Sequence, residues 1–96
     1  MSIKTFEDGF SDIVQLCLDI PSVTLENATL SISEEMDDLQ SDDDMGEALS
    51  LLSELLVHVN DLDQEEADEY QDILMDINDS ARDLRQEFIK TKNPTP

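Results

Sequence analysis

The chain contains no lysine or arginine between Lys4 and Arg82. All of its 25 aspartates and glutamates except Asp83 and Glu87 lie within that stretch, and the formal net charge is -20 at pH 7. Such a surface repels phosphate, so nucleic acid and anionic membranes are disfavoured as direct partners. Like charges also oppose compaction, and ordinary domains intersperse both signs. The composition therefore favours a strongly basic partner.

Cysteine, glycine, aromatic residues and long apolar runs are also scarce. The single cysteine, Cys17, has no intramolecular disulfide partner, which is typical of a reducing cytoplasm. No apolar run approaches the ~18 residues of a membrane span. The first residues lack the basic-then-apolar order of a secretory signal. We therefore expect a soluble, cytoplasmic protein whose core is mostly aliphatic.

Apolar residues recur at helical steps of three and four in four segments. Pro21 ends the first segment, Thr24 is a plausible N-cap of the second, and Ser41 with the acids 42–44 precedes the third. The third is the least charged, which indicates either the most buried helix or a contact with a second subunit. The stripes are Phe6, Phe10, Ile13, Cys17 and Ile20; Leu25, Ala28, Ile32, Met36 and Leu39; and Met45, Ala48, Leu52, Leu55 and Val59, widened by Leu49, Leu51, Leu56 and Val57.

The fourth segment begins near Asp63 and has the most regular pattern. Its seam predicts one helix of roughly 27 residues, or ~40 Å. No segment alternates with period two. The sequence thus predicts an all-α fold, a small four-helix bundle with a long C-terminal helix, in a single domain over 1–90 with a flexible tail at 91–96. A homodimer through helix three or helix four is also expected. The seam consists of Ala67, Tyr70, Leu74, Ile77, Ala81, Leu84 and Phe88.

Acidic residues on helix four are periodic as well. They lie about two residues from the seam, which is ~200° of rotation, so they form a row opposite the buried face. From Asp63 to Asp79 there is about one acid per ~3 Å of axis, close to the ~3.4 Å phosphate spacing along a DNA strand. A second cluster spans the loop before helix three. The row is Glu65, Glu69, Asp72, Asp76, Asp79, Asp83 and Glu87, and the second cluster is Glu34, Glu35, Asp37, Asp38, Asp42, Asp43 and Asp44.

In size, charge and helical character over residues 5–88, the chain resembles the small acidic phage-encoded inhibitors that mimic DNA, among them anti-restriction and anti-CRISPR proteins. The resemblance implies that carboxylates occupy the basic nucleic-acid groove of a nuclease, an effector complex or another DNA-binding protein and block nucleic-acid binding. It also implies the host cytoplasm as location. The expected partner-binding residues are Glu65, Glu69, Asp72, Asp76 and Asp79, with Asp42, Asp43 and Asp44 as a second patch.

A different binding class remains open: a small acidic chaperone or an immunity-type protein that shields a basic or apolar partner. A chaperone would hold its client through exposed apolar side chains such as Leu51 and Val57. An ordinary solvated helix face is the simplest interpretation of any charge run. Its usual form, however, has both signs mixed along the face.

Calcium binding is the third alternative. With Gly46 at position 6 of an EF-hand loop, the fifth ligand is Met45 and the twelfth is Leu52, neither of which binds calcium. A loop that starts at Asp76 has Ala81 in place of the glycine. We therefore expect diffuse screening by divalent ions and no designed metal site.

Catalysis and cofactors are not expected. His58 follows Glu54 by four residues and precedes Asp61 by three, but it is the only histidine. Cys17 lies on the apolar face of helix one with no histidine to activate it. There is no glycine-rich phosphate loop, and abundant carboxylates by themselves do not make an acid-base pair. The sequence predicts a protein that is not an enzyme and binds no cofactor.

Overall fold

A computed structural model of the chain describes the backbone of residues 3–92 and the side chains of residues 3–90. The predicted all-α class is confirmed, and no strand occurs in the described residues. The predicted tail at 91–96 lies outside them, apart from the backbone of its first two residues. The α-helices are α1 (Ile3–Leu18), α2 (Val23–Asp37), α3 (Met45–Asn60), α4 (Gln64–Glu69) and α5 (Gln71–Lys92), with a 3-10 turn (Asp42–Asp44) before α3.

Four of these helices, α1, α2, α3 and α5, form the bundle, and α1 packs against the other three. The start of α1 lies beside the end of α5, since the rings of Phe6 and Phe88 meet edge to face with centroids 6.4 Å apart. One turn further, α5 approaches Gly9 so closely that a Cβ there would lie 2.9 Å from Leu84 Cδ1. The two helices are therefore antiparallel, and the short turns make α2 antiparallel to α1 and α3.

The core is formed by the stripes that the periodicity predicted. In the first three stripes, apart from the four residues that widen the third, every residue is buried except Ala28, which is half-buried; Thr29 is buried beside it. In the fourth segment Ile77, Ala81, Leu84 and Phe88 are buried, whereas Tyr70 is half-buried. Side chains at steps of three and four lie on one face of a helix, so this pattern selects the buried face directly.

Two local predictions were wrong. The N-cap of α2 is Ser22 and not Thr24: the Ser22 hydroxyl accepts a hydrogen bond from the Leu25 amide at 3.3 Å. Leu51 is only 7% exposed, so it belongs to the core rather than to an exposed apolar surface. Val57 is 67% exposed, as the chaperone alternative requires. Because Leu51 is buried, however, the two side chains do not form the exposed apolar surface that this alternative expects.

The predicted long fourth helix is interrupted at Tyr70. The helical ladder runs as far as the bond from Tyr70 N to Glu66 O, at 3.0 Å, and resumes with Leu74 N to Tyr70 O, also at 3.0 Å. Tyr70 itself has φ -110° and ψ 28°, outside the α-helical region. No residue of α4 is buried, and like charges three and four apart repel along it. Without burial to offset that repulsion, one straight helix is not maintained.

Within the described residues no helix has the length and apolar character needed to cross a membrane. The bundle is flattened, with Cα extents of 45 × 28 × 17 Å. Its long axis therefore separates two ends, and the charges differ between them.

Candidate partner-binding surface

The central part of the predicted acidic row lies on α5. Asp72, Asp76 and Asp79 are all exposed and follow one another at steps of four and three. Carboxylates at that spacing lie ~5 to 6 Å apart between Cβ atoms on one helix face. Because Ile77 and Ala81 are buried on the opposite side of the helix, the row points to solvent. The structure therefore brings these three predicted residues together on one surface.

Glu65 and Glu69 are exposed too, but they lie on α4, beyond the break at Tyr70. The row is therefore bent rather than straight. The half-buried Glu66 lines a cavity of about 150 Å³ together with Ser22 and His58, so α4 lies over the end of the bundle where α2 begins and α3 ends. The five predicted residues are thus divided between the short helix α4 and the first half of α5.

This end of the bundle carries more acid than the row alone. The chain enters it at the turn after α1, at the loop after α3 and along α4, and none of these segments contains lysine or arginine. We call this set of residues the acidic end. Five of its acids were not among the predicted site residues, because they belong to no single helical row and only the tertiary structure gathers them: Asp19, Asp61, Asp63, Glu66 and Asp68. The acidic end comprises Asp19, Asp61, Asp63, Glu65, Glu66, Asp68, Glu69 and Asp72.

The second predicted patch lies at the other end of the molecule. The Asp42 carboxylate accepts a hydrogen bond from the Ile3 amide at 2.8 Å, at the start of α1. That start packs beside the end of α5, ~24 Å along α5 from Asp72 at 1.5 Å per residue. Asp43 is exposed, whereas Asp44 is half-buried. The two predicted patches therefore do not form one continuous surface, and Asp42 has a structural role at a helix N-terminus.

Very little of the acidic charge is paired. Among fully described side chains the structure has one ion pair, between Arg82 Nη2 and Asp79 Oδ1 at 2.9 Å. Both side chains are more than half exposed, so the pair contributes at most about 1 kcal/mol. Lys4, Arg85 and Lys90 also lie towards the end of the bundle that holds Asp42. Among the described side chains, no lysine or arginine therefore lies at the acidic end to reduce its negative potential.

Comparison of the chain with protein-family models, with curated proteins and with solved structures found no match. The case for function therefore depends on the geometry and charge of the surface itself.

Metal ligation is not favoured by the arrangement of the side chains. His58, Asp61 and Asp63 line the same cavity, but no group of three or more candidate ligands in the described residues is placed to hold an ion. The pair of Glu54 and His58 does not become a larger cluster in the fold. The predicted calcium alternative gains no geometric support among these residues.

The thiol of Cys17 is buried, and its acidity is altered by that burial. Burial raises the pKa of Cys17 to about 11, and the neighbouring Thr29 hydroxyl acts in the opposite direction. The contact does not reach hydrogen-bond geometry, since the buried Thr29 hydroxyl has no hydrogen-bond partner among the described residues. A thiol in this environment stays protonated at neutral pH and is a poor nucleophile. Its contribution is to packing between α1 and α2.

Proposed function

We propose that this protein is an acidic DNA mimic that binds the basic nucleic-acid groove of a nuclease, a CRISPR-type effector or another DNA-binding protein and blocks nucleic-acid binding. The observation that supports it most is the acidic end continued by the row Asp72, Asp76 and Asp79: closely spaced carboxylates, nearly all exposed, with Arg82 as the one basic side chain paired to them, at Asp79, among the described side chains. A basic groove already has a positive electrostatic potential that attracts anions. A compact polyanion therefore competes with nucleic acid for the groove through its charge and its shape.

The bend at Tyr70 is compatible with such a role. Duplex phosphates follow a curved path around the helix, and α4 and α5 present their acids along two directions that meet near Asp72. A rigid, folded scaffold also holds the carboxylates in place before binding, which lowers the entropic cost of association. Binding, and not catalysis, is the activity that we propose for this surface.

The experiment compares two triple variants that change the net charge equally. In D72N/D76N/D79N the α5 row is neutralised; in E34Q/E35Q/D37N three exposed acids near the end of α2 are neutralised instead. A labelled DNA duplex is bound to a purified restriction nuclease, to an RNA-guided nuclease complex and to a sequence-independent DNA-binding protein. Displacement of the duplex is followed by fluorescence anisotropy.

We expect wild-type protein to displace the duplex competitively from at least one of these targets. The α5 variant should bind that target at least about tenfold more weakly, whereas the α2 variant should change affinity by less than about threefold. Affinity should fall steeply between roughly 50 and 200 mM salt. Equal losses of affinity in both variants would mean that the effect depends on net charge alone. A target that binds the protein and still keeps its DNA would refute the mimicry.

A further inference from the structure

Two helices that pack on α1, namely α2 and α5, each bury one row of side chains at helical steps of three and four. The α5 row is entirely apolar, whereas the α2 row has a hydroxyl near its middle, where Thr29 takes the place of an apolar residue. The two rows therefore do not hold their helices equally well. The α5 row is Ile77, Ala81, Leu84 and Phe88, and the α2 row is Leu25, Thr29, Ile32 and Met36.

The Thr29 hydroxyl weakens the contact of α2 with the bundle. It is fully buried and has no hydrogen-bond partner among the described residues. A buried hydroxyl without a partner has lost its hydrogen bonds to water and recovers them only when its surroundings open. The free energy of this group therefore favours a state in which α2 has left the bundle.

Apolar and polar side chains are also poorly separated between the two faces of α2. Val23 is 73% exposed and Leu30 is 47% exposed, so two apolar side chains of this helix contribute little to the core. Of the four bundle helices, α2 is the least amphipathic. In contrast, α5 is held by the ring contact of Phe88 and by the close approach of Leu84 to α1.

We propose that α2 is a cover that opens: the segment between the buried residues Ile20 and Leu39 detaches and loses its helix while α1, α3 and α5 remain packed, and this opening exposes Cys17. An isolated helix of 15 residues is marginal in water, so α2 unfolds once it leaves the bundle. Cys17 lies on α1 next to Thr29, under the part of α2 that is held least well.

This opening goes beyond the proposed function and does not depend on it. The row Asp72, Asp76 and Asp79 lies on α5, which stays in place when α2 opens. The opening gives the chain a second conformation, in which a reactive thiol and the apolar side chains that α2 covers come into contact with water. Its test needs no target protein, so the two proposals can fail separately.

The reactivity of Cys17 measures the opening directly, because it is the only cysteine in the chain. In the closed state burial raises the pKa of Cys17 to about 11 and shields the thiol from reagents, so the thiol reacts only from the open state. A neutral aromatic disulfide is not repelled by the acidic surface, and it releases a coloured thiol when the Cys17 thiolate attacks it. The labelling rate of the full chain is followed at urea concentrations well below the unfolding transition.

We expect the labelling rate to rise with urea with less than about half the slope of global unfolding, because opening α2 exposes only part of the buried surface. Thr29→Val keeps the shape of the side chain and removes the hydroxyl, so it should slow labelling at least about tenfold. Ile77→Val is the matched control. It mildly truncates the α5 row, so it should lower the urea midpoint of global unfolding and change the labelling rate by less than about twofold.

A urea slope equal to that of global unfolding would show that Cys17 is exposed only when the whole chain unfolds, and it overturns the proposal. A labelling rate that rises in Ile77→Val as much as the global unfolding constant does has the same meaning. An unchanged rate in Thr29→Val also overturns it, since the opening would then not depend on the hydroxyl. Amide hydrogen exchange provides an independent measurement: the amides of α2 should exchange faster than those around Ile77 and Ala81, and equal protection would contradict a separate opening of α2.

Discussion

Asp42 shows how one residue of an acidic cluster acquires a structural role. Its carboxylate accepts a hydrogen bond from the amide of Ile3, 39 positions earlier in the chain. A carboxylate at a helix N-terminus satisfies a free amide and interacts favourably with the helix dipole. Asp43, its neighbour in sequence, is exposed, and its backbone amide donates a hydrogen bond to Ser41 Oγ at 3.2 Å. The two aspartates are therefore chemically alike and differ in their function within the fold.

Asp42→Ala should lower the free energy of unfolding by about 0.5 to 2 kcal/mol, because the Ile3 amide loses its acceptor. Asp43→Ala removes the same charge without removing an acceptor from α1, and should change stability by less than about 0.5 kcal/mol. Urea denaturation followed by circular dichroism measures both. Equal destabilisation by the two variants would contradict the capping role of Asp42.

At the scale of the elements, the two glycines have different surroundings. Gly9 lies inside α1 under Leu84, whereas a Cβ at Gly46 in the first turn of α3 would meet no atom within 4 Å. Neither has positive φ, so neither is required by backbone conformation. Glycine in a helix is less favourable than alanine by up to about 1 kcal/mol. At Gly9 that loss is offset by the close packing of α1 on α5.

Gly46→Ala should therefore raise the free energy of unfolding by about 0.5 to 1 kcal/mol. Gly9→Ala should gain less, because Leu84 must move, and Gly9→Val should lower stability by about 1 to 3 kcal/mol through overpacking. Thermal and urea unfolding of the three variants test this order. A stabilised Gly9→Val variant would show that α1 and α5 are not in close contact at this point.

At the scale of the whole molecule, repulsion among the negative charges destabilises the folded state. Only one ion pair is present among the fully described side chains, so repulsion between the carboxylates is nearly uncompensated. Added salt screens that repulsion but would also weaken binding to a basic target. Stability of the free protein and affinity for the proposed partner should therefore respond to salt in opposite directions.

The melting temperature should rise by about 5 °C or more between low salt and roughly 0.5 M sodium chloride. D72N/D76N/D79N should melt higher than wild type at low salt, because three mutually repelling charges are gone, and the difference should shrink as salt is added. Differential scanning calorimetry measures both effects. A melting temperature that falls with sodium chloride would mean that attractive pairs outweigh repulsion.

Most of the fold was predictable because residues three and four apart lie on one face of a helix, and the apolar face is the one that is buried. Phe6, Phe10 and Ile13 are buried as their spacing requires. The break at Tyr70 was missed because the apolar seam continues through it, while the loss of burial along α4 is a property of the packed bundle. For the same reason the exposure of Leu51 was predicted wrongly: its position is buried by a neighbouring helix that its own helix does not reveal.

The amino-acid sequence by itself determines which segments are helical, which face of each is apolar and that almost no base accompanies the acid, because these depend on residues close along the chain. Only the tertiary structure decides that the two acidic patches lie at opposite ends, that Asp42 caps α1 and that Asp19 and Asp61 share one end with α4. These relations join residues that are distant in sequence, and the antiparallel packing of the helices determines them. The stretch without lysine or arginine is therefore one feature in sequence and two separate surfaces in space.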